Sequence, residues 1–505
     1  MTKHRLHHAH DLRGALRAAQ GGDVIELEAG ATFTGNYELP PHDGAAPVTI
    51  TTAGTPIPPP GTRVTPDDAR TFAKIQPAPG GQPGIRTAPG AAGWTLVGLE
   101  LLPTPGGVND ILGLGDGSPA QDTVAKVPHD LTVERCSIHG DPATGQKRGI
   151  SLHAGRTTIR DCDIRHIFTV GQDSQAIMGC NGPGPWHIEN NYLEAASENF
   201  LVGGDTVRIA NQLPSDITFT RNTVAKDPAW RGKGYNVKNL LELKTGVRVV
   251  IDQNTFDHNW AGEGQSGYAI VFTVRNEYGA NPWATIADVR FTRNTIRHSS
   301  GLFNILGQDD RGSAYPSVLL QNLLIEDNTA YDINQEGGGA GHFAQMQKGD
   351  CITLNHNTVI TEQAGQAVTI YLLNGPLTNF VHTNNIFPNH GLCVFGDEGK
   401  GDGIPTLEHH APGYVFARNV VYGPWAANYP PDTHFAEPDI TAVGFVDVAA
   451  HDYRLAPSSP YAGQALDGTD CGARQDPPVE PPVAACTHTH LRCTQCGEEW
   501  IHAGA

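Results

Sequence analysis

"FTRNTV", residues 219–224, returns almost unchanged as "FTRNTI" at residues 291–296, and "IDQNTF" lies between them at 251–256. Each copy sets an apolar residue, two polar residues, an asparagine and a threonine, and then a second apolar residue. Towards the start of the chain the same order recurs around Cys136 ("VERCSI"), Cys162 ("IRDCDI") and Asn191 ("IENNYL"). Towards its end it recurs around Asn328 ("IEDNTA"), Asn357 ("LNHNTV"), Asn385 ("HTNNIF") and Asn419 ("FARNVV"), and a degenerate copy, "LVGLEL", is centred on Leu99. Successive centres are 26 to 40 residues apart, so the unit is constant in chemistry and variable in length.

Fixed strand chemistry at a variable period predicts stacked coils, each supplying short strands to parallel sheets while its turns grow or shrink. Asparagine is common at turns of every kind, but eight at one offset predict a ladder of amides hydrogen-bonded along the stack. The start "DLRGALRAAQ" predicts a capping helix with Asp11 as N-cap and Leu12, Ala15, Leu16 and Ala19 as its apolar stripe. The expected organisation is a tail at 1–10, a coil stack at 11–474, a proline-rich linker at 475–485 and a Cys/His tail at 486–505.

The chain has 505 residues, 59 of them glycine and 37 proline, with only 17% charged, which suits a turn-rich folded protein. Its net charge of −19 argues against nucleic acid as a partner, because the general field repels polyanions. No stretch reaches the roughly 18 apolar residues of a membrane span, and the basic start "MTKHRLHHAH" leads into no apolar signal core. Six of the nine cysteines are scattered singly and read as buried free thiols. In the tail, Cys493-x-x-Cys496 has the spacing of a zinc knuckle that Cys486 and His488 would complete; the other reading is an unstructured end with reactive thiols.

The repeat resembles the right-handed parallel β-helix of the pectate-lyase-like superfamily over roughly residues 10–474, with about eleven coils. That resemblance implies an all-β solenoid, an extracellular or virion-associated setting, and a polysaccharide as partner.

Chemistry is expected where "NLLELKTG", residues 239–246, interrupts a leucine-rich strand with charge. Alternation turns Leu241 and Leu243 inwards and Glu242 and Lys244 outwards. Between Lys226 and Arg248 six basic residues face two acidic ones, a local reversal of the overall sign. Outward positions on neighbouring coils include His153, Thr273, Arg275 and Asn304, since coil stacking brings distant residues to about 4.8 Å spacing. Long turns would add Trp230, His258 and Trp260 as cleft walls, with Lys238 and Asn304 completing a sugar-binding strip.

"NLLELKTGVRVVIDQNTF" followed by "AIVFTVRN" is similar to the arrangement in alginate-lyase and chondroitinase-B-like β-helix lyases. The similarity implies Lys244 as general base at the uronate C5, Arg275 as acid or charge partner, Glu242 beside them, and calcium neutralising the sugar carboxylate. Glu198, Asn199 and Asp205 are the candidate calcium ligands. Two alternatives stand beside the lyase: a glycan-binding spike or adhesin without catalysis, and a hydrolase using two of Asp173, Glu198, Asp309 and Asp310.

Overall fold

The computed structural model describes residues 2–474 except 263, 311–315, 335–336, 362–366 and 425–427, with the backbone at 491–492 and 499–500. The chain forms two compact units, Met1–Glu242 and Leu243–Ala505, where the sequence implied one continuous domain. A repeat in a stacked array touches only its neighbours, so a long array has no single centre. Both units are parallel β-helices.

In the first unit, Arg148–His153, Gly155–Arg160 and Asp163–Ile167 make one coil, and Gln175–Gly179, Gly184–Glu189 and Tyr192–Ala195 the next. Each strand pairs in parallel with its counterpart one coil on: Ile150 with Ile177, Thr157 with Trp186, Ile164 with Leu193. Three sheets result, the first containing Gly155–Arg160, the second Asp163–Ile167 and the third Arg148–His153. In the second unit the first sheet runs from Gly246–Asp252 to Val415–Ala417, the second from Thr255–Asn259 to His434–Ala436, and the third from Tyr268–Thr273 to Gly391–Gly396. Parallel connections of this kind are right-handed.

The corner between the first and second sheets is the repeat read in the sequence. Its ladder residue is preceded each time by one in the left-handed region: Arg135, Asp161, Asn190 and Arg221 in the first unit, Gln253, Arg293, Asp327, His356, Asn384 and Arg418 in the second. That conformation costs a non-glycine residue roughly 1–2 kcal/mol, and the backbone N–H it turns outwards is taken up by the next coil, as from Asp161 to Glu189 O at 3.1 Å.

The amide behind it is buried and saturated. Asn328 Oδ1 accepts from the Asn294 backbone at 2.9 Å and from Asn294 Nδ2 at 3.1 Å, while its own Nδ2 donates to Phe291 O and to Asn357 Oδ1, both at 2.9 Å. The ladder runs from Asn254 to Asn419 in the second unit and joins Asn191 to Asn222 in the first. Cys136 and Cys162 take the same place with buried thiols, and the Cys162 N–H donates to Asn191 Oδ1 at 2.9 Å.

The capping helix spans Ala9–Ala18 with Leu12 and Leu16 buried, but its N-cap is His8, and Asp11 sits in the first turn. Residues ahead of it are no tail: Lys3–Leu6 pairs with Val24–Glu28 as a strand of the first sheet. At the other end, Tyr453, Tyr461 and Cys471 fold back over Ile386, Val420 and Tyr422. Arg474 closes this segment by forking onto Asp327, with Nε and Nη2 each 2.8 Å from a carboxylate oxygen. Cys136, Cys162, Cys180, Cys393 and Cys471 are free and buried as expected. The linker and the tail ligands Cys486, His488, Cys493 and Cys496 lie outside the described residues.

Because each ladder amide satisfies groups on both neighbouring coils, Asn328→Ala strands the Asn294 N–H and the Phe291 carbonyl in the interior. At roughly 1–3 kcal/mol per orphaned group, the substitution is expected to lower the unfolding free energy by about 2–4 kcal/mol in denaturant titrations followed by circular dichroism. A loss below about 0.5 kcal/mol would contradict the ladder's structural role.

Candidate functional site

In the second unit, each coil passes from the third sheet to the first through a corner, and these corners carry the charge. Lys244 lies at the first of them, just ahead of the strand Gly246–Asp252, and Arg275 follows the strand Tyr268–Thr273 on the next coil. The Arg275 N–H donates to Lys244 O at 3.0 Å, so the two residues are coil neighbours despite 31 positions of sequence. Lys244 keeps 20% of its side chain exposed, with Glu277 Oε1 at 3.8 Å from its Nζ. Lys348 holds the same corner further along and pairs with Asp310. Asp309, by contrast, anchors the turn, its Oδ2 accepting from the Asn276 N–H at 3.0 Å. Neither Glu277 nor Lys348 was expected from the sequence.

Behind the corner, the outer face of the third sheet is polar and aromatic. Register sets Val271 beside Asn304, Asn304 beside Gln345 and Gln345 beside Tyr371. Gln345 Nε2 donates to Asn304 Oδ1 at 3.3 Å, Tyr268 donates to Gln345 Oε1 at 3.1 Å, and Tyr371 donates to Asp397 Oδ1 at 2.9 Å. The Tyr268 hydroxyl also lies 2.7 Å from His342 Nδ1, and the His342 ring stacks on Tyr371 at 5.6 Å between centroids. Burial pulls the His342 imidazole down to about 4, so it is neutral at pH 7, and with the Tyr268 proton on Gln345 its Nδ1–H donates to the hydroxyl oxygen. The strip therefore presents amides and hydroxyls, the groups that recognise sugar hydroxyls, beside a lysine and an arginine.

The basic run of the sequence is dispersed by the fold. In the first unit, Lys226 is buried, and its ammonium donates to Ala195 O (3.0 Å), Ser197 O (2.6 Å), Asn199 Oδ1 (3.0 Å) and Asn239 O (3.1 Å). Burial outweighs the opposing pull of the Glu198 carboxylate and brings it down to about 7. Lys238 joins Asp173 Oδ2 at 2.5 Å and Glu198 Oε1 at 3.2 Å; burial opposes its charge, but the two carboxylates outweigh burial and hold it above its ordinary range. The Glu198 contact is an ion pair without hydrogen-bond alignment, since Oε1 accepts no hydrogen bond. Glu198 Oε2 accepts from Gln175, whose Oε1 accepts from Arg148, whose Nη1 meets Asp110 at 2.9 Å. Lys238 thus stands at the end of a row of paired charges. Glu242 is buried, with Asn239 Nδ2 at 3.4 Å from Oε2.

The three expected calcium ligands do not converge. Glu198 and Asn199 each already hold a lysine ammonium, and Asp205, half exposed, accepts from the Thr206 N–H at 2.6 Å and faces Arg208 at 3.7 Å. A lysine fills the oxygen cage a cation would need, so this donor set does not suit calcium.

Other expected contacts are also relocated. Trp230 is 7% exposed, packed against Phe168 and Tyr235, and Trp260 is 6% exposed, so neither offers an open ring face. His153 is buried rather than outward, accepting the Asn181 N–H at 3.0 Å, and burial pulls it down to about 4. Thr273 is buried as well. His258 lies on the second sheet, away from the third-sheet strip to which Asn304 belongs.

No family model matches the chain, and neither does any curated protein. Solved structures do. An alginate lyase from Paenibacillus sp. str. FPU-7 is 15% identical with a TM-score of 0.38, over 74% of this chain and 98% of its own. A PL6 family polysaccharide lyase from Pseudopedobacter saltans is 10% identical with a TM-score of 0.46, over 94% of this chain and 100% of its own. The Dettilon tailspike protein is 11% identical with a TM-score of 0.42, over 77% and 65%.

The buried neutral histidines set a pH dependence. The folded value of His342 lies below the 6.5 of a free imidazole, so the unfolded chain binds the extra proton between about pH 6.5 and 4. Stability is accordingly lost as pH falls through that window, by roughly 3 kcal/mol for one such group. Unfolding titrations at pH 7, 5.5 and 4 are expected to show the decline, and His342→Gln to flatten it. An unchanged slope in that variant would refute the assignment.

Proposed function

We propose that the chain cleaves an acidic, uronate-containing polysaccharide by β-elimination at the Lys244–Arg275 corner. The observation that supports this reading above others is the placement of a part-exposed lysine and an arginine on consecutive coils, at the edge of a strip of amides and hydroxyls. Among the described residues of this strip, carboxylates serve turns or ion pairs, Asp309 capping a turn and Asp310 engaged by Lys348, which disfavours a pair of acids working as a hydrolase.

In the reaction so read, the sugar carboxylate sits against the Arg275 guanidinium, whose charge stabilises the enolate formed when the C5 proton leaves. Lys244 takes that proton as general base, the substrate carboxylate displacing Glu277 as its nearest anion. The C4–O bond then breaks, leaving a C4–C5 double bond conjugated with the carboxylate, and the departing oxygen takes up a proton from solvent. Asn304 and Gln345 hold sugar hydroxyls in line.

A panel of uronic-acid and neutral polysaccharides, incubated with the full chain with and without added calcium or chelator, tests this directly. The expected result is shortened product carrying new ultraviolet absorbance on a uronate glycan. Lys244→Ala should lower kcat by about 10²–10⁴-fold while glycan affinity changes little. Shortening without the chromophore would identify a hydrolase, and unaltered turnover in Lys244→Ala would remove this corner from the chemistry. Glycan binding with no turnover would leave a spike or adhesin as the reading.

A further inference from the structure

The second sheet of the second unit carries a device that the glycan reading does not use. Its strands Thr255–Asn259, Thr295–Ser299 and Thr329–Ile333 each contain one residue in the left-handed region, His258, His298 and Asp332. Pairing aligns Asp257 with Arg297 and Asn259 with Ser299 across that residue. A bulge of this form puts two consecutive side chains on the same face, and here Asp257 and His258 both face outwards. Stacking of the coils then lines up His258, His298 and Asp332, which are 40 and 34 positions apart.

The convergence is tight. His258 Nδ1 lies 2.8 Å and His298 Nδ1 2.6 Å from the same atom, Asp257 Oδ1, and the two rings stack at 4.4 Å between centroids. One nitrogen from each histidine and one Asp257 oxygen all fall within 4.8 Å of one another. The outer contacts are those that orient ligands. His298 Nε2 faces Asp332 Oδ2 at 3.4 Å, and the second Asp257 oxygen is fixed by Arg297 Nη2 at 2.8 Å, with Arg297 Nη1 on the Tyr331 hydroxyl at 3.2 Å.

We propose that His258, His298 and Asp257 form a binding site for a divalent transition-metal ion, with Asp332 orienting His298 and a fourth position left to water. Two imidazoles and one carboxylate select zinc, copper(II) or nickel over calcium or magnesium. Ligand atoms of a tetrahedral zinc stand about 3.3 Å apart, so entry needs the carboxylate to retreat by roughly 0.5 Å. On binding, each Nδ1 gives its proton to solvent and presents its lone pair, so affinity falls in acid. A carboxylate behind a ligating histidine is the arrangement that fixes the tautomer, and Arg297 offsets the charge of the second acid. The ion would tie together two coils, with Asp332 on a third behind His298, on a sheet separate from the Lys244 strip.

Zinc titration of the full chain by calorimetry tests the site by difference, because Cys486, His488, Cys493 and Cys496 are further potential ligands elsewhere in the chain. The wild type is expected to bind one equivalent more than His258→Ala/His298→Ala. Asp332→Asn is expected to weaken that equivalent by about 10–100-fold. Equal stoichiometry and affinity in the folded double variant would overturn the proposal. Should that variant not fold, crystals of the wild type soaked in zinc decide: an anomalous peak about 2 Å from both Nδ1 atoms supports the site. A zinc-soaked crystal with no peak there and both rings still on Asp257 refutes it.

Discussion

Everything in both units hangs on how the chain turns from its first sheet to its second. One residue with positive φ bends the strand, and a buried amide behind it exchanges hydrogen bonds with the coils on either side. Neither part works alone. The bend exposes an N–H that only an adjacent coil can take, and the amide is tolerable in an apolar interior only because all its groups are paired. Stacking is therefore enforced one coil at a time, and the strands beyond the bend inherit their register from it.

That is also why the fold was readable. From Arg135 onwards the bend spans two residues in each coil, so its chemistry stays in phase with the sequence however long the other turns become. Cys136 and Cys162 kept their place in the pattern because a small buried thiol fits the same slot. Lys244 and Arg275 were legible for a related reason: each follows a third-sheet strand, and the coil repeat converts that shared position into contact. What the sequence hid were properties set by three dimensions. Nothing local distinguishes Lys226, sealed among four oxygens, from a solvated lysine, and so a run of six basic residues looked like a surface. Trp230 sits in a glycine- and lysine-rich turn that reads as exposed, yet Phe168, on a previous coil, covers it. The Tyr268–His342 contact joins residues 74 apart through an intervening coil, beyond any spacing rule.

The two charged sites show opposite uses of one scaffold. At the Lys244 corner, positive charge is left partly in water with a weak partner at 3.8 Å, which keeps it available. At Lys226, charge is withdrawn and matched by four oxygens, which makes it a rivet. Burial and pairing, not residue type, separate the part-exposed Lys244 from the sealed Lys226, and the two lie within twenty residues of each other.

The constancy of that two-residue bend carries a further meaning for how such a chain can change. From Arg135 onwards, length varies only where the backbone leaves the second or third sheet, as between Ala225 and Leu241 or between Thr273 and Ile286. The entropic cost of a longer excursion there rises only logarithmically. New loops can be grafted at those exits without shifting a single rung, so the rim of the polar strip is free to diversify while the frame beneath it is held in tune.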